Sequence, residues 1–139
     1  MISNAYAIYL YDGPFYRMIR KNKPENLDIL ILSAKYGLIK HNEKISNYEQ
    51  IMTVERAKEL ANSVYIKLEE IFKINYYDQI FINLGKTYLI ALEKSKTMLS
   101  RYNVYWANGQ IGERLHQLKN WLESINAEGE VPNDQLERF

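Results

Sequence analysis

Four consecutive apolar residues, Ile29 to Leu32, end abruptly in the small and polar turn Ser33-Ala-Lys-Tyr-Gly37. The run is too short for a helix and lacks two-residue alternation. It therefore predicts a strand over 28–33 buried on both faces, as in parallel sheets. A second such strand is predicted over Gln79–Leu84, closed by Gly85, and a short third one around Asn103–Trp106. Between them the period changes. From Thr53 to Phe72 the apolar positions Val54, Ala57, Ala61, Val64, Leu68 and Ile71 alternate spacings of three and four, which predicts an amphipathic helix with Thr53 as its N-cap. Leu89, Leu92 and Leu99 predict another helix after Gly85, with Thr87 as its cap, and Ile111, Leu115, Leu118, Leu122 and Ile125 repeat the four-three spacing in a last one. Residues 4–22 read as two short helices, Ala5–Tyr11 and Pro14–Lys21, separated where Asp12 can cap and Pro14 can take the first helical turn.

Strands alternating with helices imply right-handed βαβ units. The expected fold is α/β: a three-layer sandwich with a small, mainly parallel sheet of three or four strands and helices on both faces. At 139 residues the chain suits one domain, residues 1–125, followed by an acidic and loosely held tail over 126–139 that contains Gly129 and Pro132. The polar stretch Lys40–Gln50, with Ile45 and Tyr48 as its anchors, predicts a long loop of the kind that carries function.

Composition narrows the classes. The chain is 47% hydrophobic and 25% charged, with no apolar run long enough to cross a bilayer, so no membrane partner is expected. There are no cysteines, which removes disulfides, thiolate nucleophiles and cysteine-held metals. The start Met-Ile-Ser-Asn resembles no signal region, and a cytoplasmic location is expected. The net charge of +1 is uneven: the tail holds Glu128, Glu130, Asp134 and Glu137 against Arg138, a net of −3, leaving +4 on residues 1–125. That balance suits a phosphate-bearing ligand but falls short of a dedicated duplex-DNA binder. Twelve tyrosines and two tryptophans offer stacking surfaces for bases, although aromatics more often fill cores.

The candidate chemistry lies at strand ends. Ligands of open α/β sheets bind outside the carboxyl ends of the strands. Three turns fall there: Ser33-Ala-Lys-Tyr-Gly37, Asn83-Leu-Gly-Lys-Thr87 and Ala107-Asn-Gly-Gln-Ile-Gly112. Their glycines let backbone N–H groups approach a ligand, and Lys35, Lys86 and Arg114 add positive charge. The predicted ligand-binding set is Ser33, Lys35, Tyr36, Gly37, Tyr48, Gly85, Lys86, Asn108, Gly109, Gly112 and Arg114, with Tyr48 closing the cleft from the long loop. Lys35 and Glu49 are the candidates for acid–base or electrostatic catalysis, and Ser33 with Lys35 has the spacing of a nucleophile pair. Ordinary turn and capping chemistry explains each glycine singly. Gly85-Lys-Thr87 is not a phosphate-binding loop of the ATPase type, because Ile80 stands where that motif needs glycine. His41 and His116 have no companions at ligand spacing, so no metal and no cofactor are expected.

The run Ile-Leu-Ser33-Ala-Lys-Tyr-Gly-Leu38, with Ile45-Ser-Asn-Tyr48-Glu49, Leu84-Gly-Lys-Thr-Tyr88, Gly109-Gln-Ile-Gly112 and Trp121-Leu122, resembles a bacterial, archaeal and phage domain family of unassigned function. That family is similar in its central motif to the YaaA peroxide-stress proteins. The resemblance implies an α/β domain tied to DNA or nucleobase biology and transfers no catalytic residue. Relatives usually begin with an extra strand bearing a cysteine and a lysine; this chain reads as starting directly at a helix, with a sheet edge open to a second copy of itself.

Three functions fit these observations. The leading one is binding of a nucleotide, nucleobase or nucleic-acid end in a cleft at the strand ends, in a stress, DNA-repair, base-modification or defence context. The alternatives are an N-glycosidase or glycosyl-transfer enzyme acting on a nucleobase or nucleoside, and a non-catalytic structural or partner-binding subunit.

Overall fold

In chain order the elements are β1 (Ala5–Leu10), α1 (Gly13–Asn22), β2 (Leu27–Ser33), β3 (Gly37–Lys40), α2 (Val54–Ile74), β4 (Tyr77–Ile82), α3 (Lys86–Leu89), a 3₁₀ stretch (Ile90–Ser95), α4 (Lys96–Leu99), β5 (Val104–Trp106) and α5 (Ile111–Gly129). The computed structural model describes residues 5–10, 13–22, 26–40 and 50–129, with residues 5–10, 13 and 127–129 by their backbone alone. The strands form one five-stranded sheet in the order β3-β2-β1-β4-β5. β1 runs parallel to β2 and β4, β4 runs parallel to β5, and only β3 is antiparallel, hairpinned onto β2.

Burial on both faces explains the unbroken apolar runs. Leu30 and Leu32 of β2 and Ile80 and Ile82 of β4 enter a core shared with Ala57, Leu60, Val64, Leu68 and Ile71 of α2 and with Ala91, Leu92 and Leu99. Ile29 and Phe81 point the other way, into a core with Phe15 and Ile19 of α1 and Leu118, Trp121, Leu122 and Ile125 of α5. The three-and-four spacings of α2 and α5 are thus their buried stripes except at the first position of each, where Val54 and Ile111 are exposed because the first turn extends beyond the core. Thr53 caps α2 as its sequence predicts, its Oγ1 accepting from Arg56 N at 3.1 Å. Among the described residues no helix is long and apolar enough to cross a membrane.

Several expectations are corrected. Ala5–Tyr11 is not a helix: residues 5–10 are β1, the central strand. A short apolar run carries no period that separates strand from helix, and six residues suit a strand. The chain therefore does have a strand ahead of its first helix, and among the described residues the outermost strands are β3 and β5. The sheet has five strands rather than three or four, because residues 5–10 join it as β1 and Gly37–Lys40, ahead of the loop expected over Lys40–Gln50, pairs with β2. The single helix expected after Gly85 is broken by the 3₁₀ stretch, and its first cap position is Gly85, with Thr87 inside α3. The last helix continues through Gly129. Residues 130–139, the rest of the acidic tail, lie outside the described residues.

Gly37 opens β3 at φ +76°, and a Cβ there would meet Leu60 Cδ2 at 3.5 Å and Ser63 Oγ at 3.7 Å. Gly85 has an ordinary φ of −68° and open space around it. Gly37→Val is expected to destabilise the fold by roughly 1–3 kcal/mol through left-handed strain, whereas Gly85→Ala should stay within about 0.5 kcal/mol. Midpoints of chemical denaturation compare the two, and equal losses would remove the strain account.

At the opposite end of the sheet the buried Tyr77 reaches across β1 and donates its hydroxyl to Asp28 Oδ2 at 2.6 Å. Burial, then the bond to the carboxylate and its charge, push the phenol well above its ordinary value of 10.0. The folded state therefore holds a proton that the unfolded chain releases above pH 10, so this stabilisation is complete below that pH and is lost as pH rises further. Wild type should exceed Tyr77→Phe by about 1–2 kcal/mol at neutral pH, and urea titrations should show that margin shrinking as pH rises past about 10. A margin that grows instead would contradict the assignment.

Candidate functional site

Ser33 is first a turn former. Its Oγ accepts from Lys35 N at 3.2 Å and Tyr36 N at 3.1 Å, closing the hairpin between β2 and β3. Such local side-chain acceptors are what serine supplies in turns. The turn is then tied to α2: Arg56 Nε donates to Ala34 O at 2.6 Å, and its Nη2 donates to Lys35 O at 2.8 Å. Arg56 also pairs with Glu59 at 3.5 Å, an exposed contact of little weight. Sequence reading missed Arg56. The available signal was a cation in the first turn of a helix, where the macrodipole disfavours it, so another interaction must hold it there. The Lys35 ammonium lies 5.2 Å from the centre of the Tyr36 ring, a cation–π pair within the turn.

The turn after β4 differs in kind. Alternation carries Asn83 to the same face as Phe81, towards α1 and α5, and its side chain is fully buried. Asn83 Oδ1 accepts from Arg114 Nη1 at 2.9 Å. Arginine only donates, so the amide oxygen must face it and the amide nitrogen must face away. Asn83 Nδ2 then finds no acceptor among the described residues. Arg114 is itself only 8% exposed, and its guanidinium stacks over the Phe15 ring at 5.3 Å. Among the described residues no carboxylate pairs with it. Among the described residues this buried guanidinium is answered by one neutral oxygen and one ring face, and a buried charge so placed ordinarily costs several kcal/mol unless something compensates it.

The third turn is already engaged by its own helix. Gln117 accepts from Asn108 N at 3.0 Å and donates to Asn108 O at 2.8 Å. Glu113 Oε1 accepts from Gln110 N at 3.0 Å, the reverse half of a capping box at the start of α5. Gly109 sits at φ +96°, and a Cβ there would lie 2.9 Å from the Glu113 carboxyl. That glycine makes room for a protein carboxylate. Gly112 lies exposed in the first turn of α5 with open space beside it, and Lys86 is exposed at the start of α3.

The parallel pairing of β2, β1, β4 and β5 places all three turns at one edge. The strands that carry the first two turns are not neighbours, because β1 separates β2 from β4. Neighbouring strands lie about 4.8 Å apart, so the Ser33–Gly37 turn stands roughly 10 Å from the Asn83–Lys86 turn. The direct link at this edge is between the second and third turns, through Asn83 and Arg114. It falls beside the point where connections diverge, β1 leading to β2 on one side and β4 to β5 on the other, which is the usual ligand crevice of such sheets. Asn83 belongs to this centre although the predicted set omitted it; a polar residue directly after Gln79–Ile82 was its only signal. Tyr48, Glu49 and His41 lie outside the described residues. His116 is exposed and in contact with Asn120 at 3.3 Å.

Fold and site together define an α/β domain with a buried arginine–asparagine pair at the carboxyl edge of its sheet. Residues 2–120 match the family of unknown function DUF6884, and the chain belongs to that family. The solved structure of AF0587, a protein of unknown function, superposes on it with a TM-score of 0.57 at 13% identity, covering 86% of this chain and 45% of that one. That likeness is one of fold alone, and this chain spans less than half the length of AF0587. No curated protein matches the chain.

Arg56→Gln is expected to cost about 1–3 kcal/mol in stability, since it strips two turn carbonyls of a charged donor. Urea denaturation checks the loss, and amide exchange at Lys35 and Tyr36 should rise more than elsewhere. Uniform exchange would show that Arg56 does not hold the turn.

Proposed function

We propose that this chain binds a phosphate-bearing ligand, a nucleotide or a nucleic-acid end, at the carboxyl edge of its sheet, in a stress, repair, base-modification or defence context. The observation that carries the reading is the buried Arg114–Asn83 pair: a guanidinium with no described carboxylate and an amide donor with no described acceptor, side by side at the sheet's divergence point. A phosphate or carboxylate oxygen compensates both at once, and arginine's planar donor fork suits such groups. The mildly basic balance of residues 1–125 favours the same class of ligand.

The Ser-Ala-Lys-Tyr-Gly-Leu run supports kinship with the YaaA peroxide-stress proteins, and the two cores on opposite sides of the sheet support a three-layer sandwich. Glycosidase chemistry has less behind it. Its candidates are Glu49, outside the described residues, and Lys35, whose ammonium rests against Tyr36. In this reading Lys35 is an auxiliary cation and Ser33 a turn former.

Calorimetric titration with inorganic phosphate, a nucleoside 5′-monophosphate and the matching unphosphorylated nucleoside tests the proposal. Arg114→Gln should weaken the monophosphate by about 1.5–3 kcal/mol, the worth of a charged hydrogen bond, with a smaller effect on the nucleoside. Its melting temperature without ligand should change little, because relief of an uncompensated buried charge offsets the lost hydrogen bond to Asn83. Loss of stability with unchanged affinity would make the pair structural and overturn the reading.

A further inference from the structure

We infer that the edge strand β5 carries a second site, a groove in which unpaired bases of a single-stranded nucleic acid stack. This rests on the proposed function for the class of ligand but uses the other face of the sheet. The register Ile80↔Val104 and Ile82↔Trp106 puts Val104 and Trp106 on the α2 side, away from Arg114. There a groove of about 460 Å³ runs between β5 and the 86–100 segment, walled by Trp106, Tyr102, Val104, Leu89 and Leu99, with Lys96 among its lining residues. That volume falls in the usual range for small organic groups, about 300–1,000 Å³.

Aromatic surface continues over the strand. Trp106 is 38% exposed, and on the opposite face Tyr105 stacks on Phe81 at 5.3 Å and 6° yet stays 45% exposed. Exposed ring faces, of which Tyr105 is held flat by its stacking on Phe81, are platforms on which bases of any sequence stack. The charge fits too. From Lys94 to Gly112 the chain holds Lys94, Lys96 and Arg101, all exposed, and no acidic residue. None of the three forms an ion pair among the described residues. A peptide adding itself as a strand is the weaker fit, because β5 offers only three residues as a template and the cations would be left unanswered.

The test uses a short oligothymidylate with the full chain. Trp121 is buried, so quenching of tryptophan fluorescence reports on Trp106. Binding should quench it, and Trp106→Ala, which removes the reporter and is therefore titrated by calorimetry alongside wild type, should weaken affinity about five- to a hundredfold, the scale of one lost base stack. Lys96→Gln, which leaves the aromatic wall intact, should lower the slope of log affinity against log salt by about 0.7, one phosphate contact on a single strand. Arg114→Gln should leave the quenching unchanged. Oligothymidylate binding that survives Arg114→Gln when no monophosphate binding is detected sustains the groove and sinks the Arg114 reading. Monophosphate binding without quenching does the reverse. Unchanged affinity in Trp106→Ala with an unchanged salt slope in Lys96→Gln overturns the groove, as does quenching by an extended apolar peptide but not by the oligonucleotide.

Discussion

The parallel insertion of β1 between β2 and β4 is the constraint on which the carboxyl edge depends. A central strand must satisfy its N–H and C=O groups on both sides, and β1 does so with β2 and β4, the latter from a distant part of the chain. Its position sends the first crossover one way and the later ones the other, which puts α1 and α5 on one face and α2 with the 86–99 segment on the opposite one. Asn83 at the end of β4 is thereby brought against Arg114 and Phe15, from three separate stretches of sequence. Without β1 in the middle there is no divergence point and no reason for that polar cluster to lie under the sheet's rim.

The helices and the two long apolar strands are legible because burial leaves a period in the sequence. The stripe from Ala57 to Ile71 is one face of α2, and the absence of alternation in 29–32 reports a strand covered on both sides. β1 and β3 leave no such mark. Ala-Tyr-Ala-Ile-Tyr-Leu fits either period, and Gly37–Lys40 is identified only by its partner across the hairpin. The same limit applies to the site. Turn residues such as Ser33 and Gly37 carry local signatures, whereas Arg56 and Asn83 derive their roles from contacts made some 20 to 30 positions away.

The turns that look alike in sequence do different physical work. Gly37 adopts a left-handed backbone, Gly109 leaves room for the Glu113 carboxyl, and Gly85 does neither. A glycine count at strand ends therefore overstates how much backbone is free to meet a ligand. At the third turn two of the N–H groups are already satisfied by Gln117 and Glu113.

The central place of β1 also bears on how the chain assembles. Ala5 pairs with Tyr77, so the middle of the sheet cannot close until β4 has left the ribosome. Such non-local pairing makes folding slow relative to helical domains of similar size. Until then the first apolar segment has at most one of its two neighbours, and an unpaired edge of that composition invites association with other chains. The early emergence of α1 and β2, which form the first crossover with β1, limits that exposure to a single side.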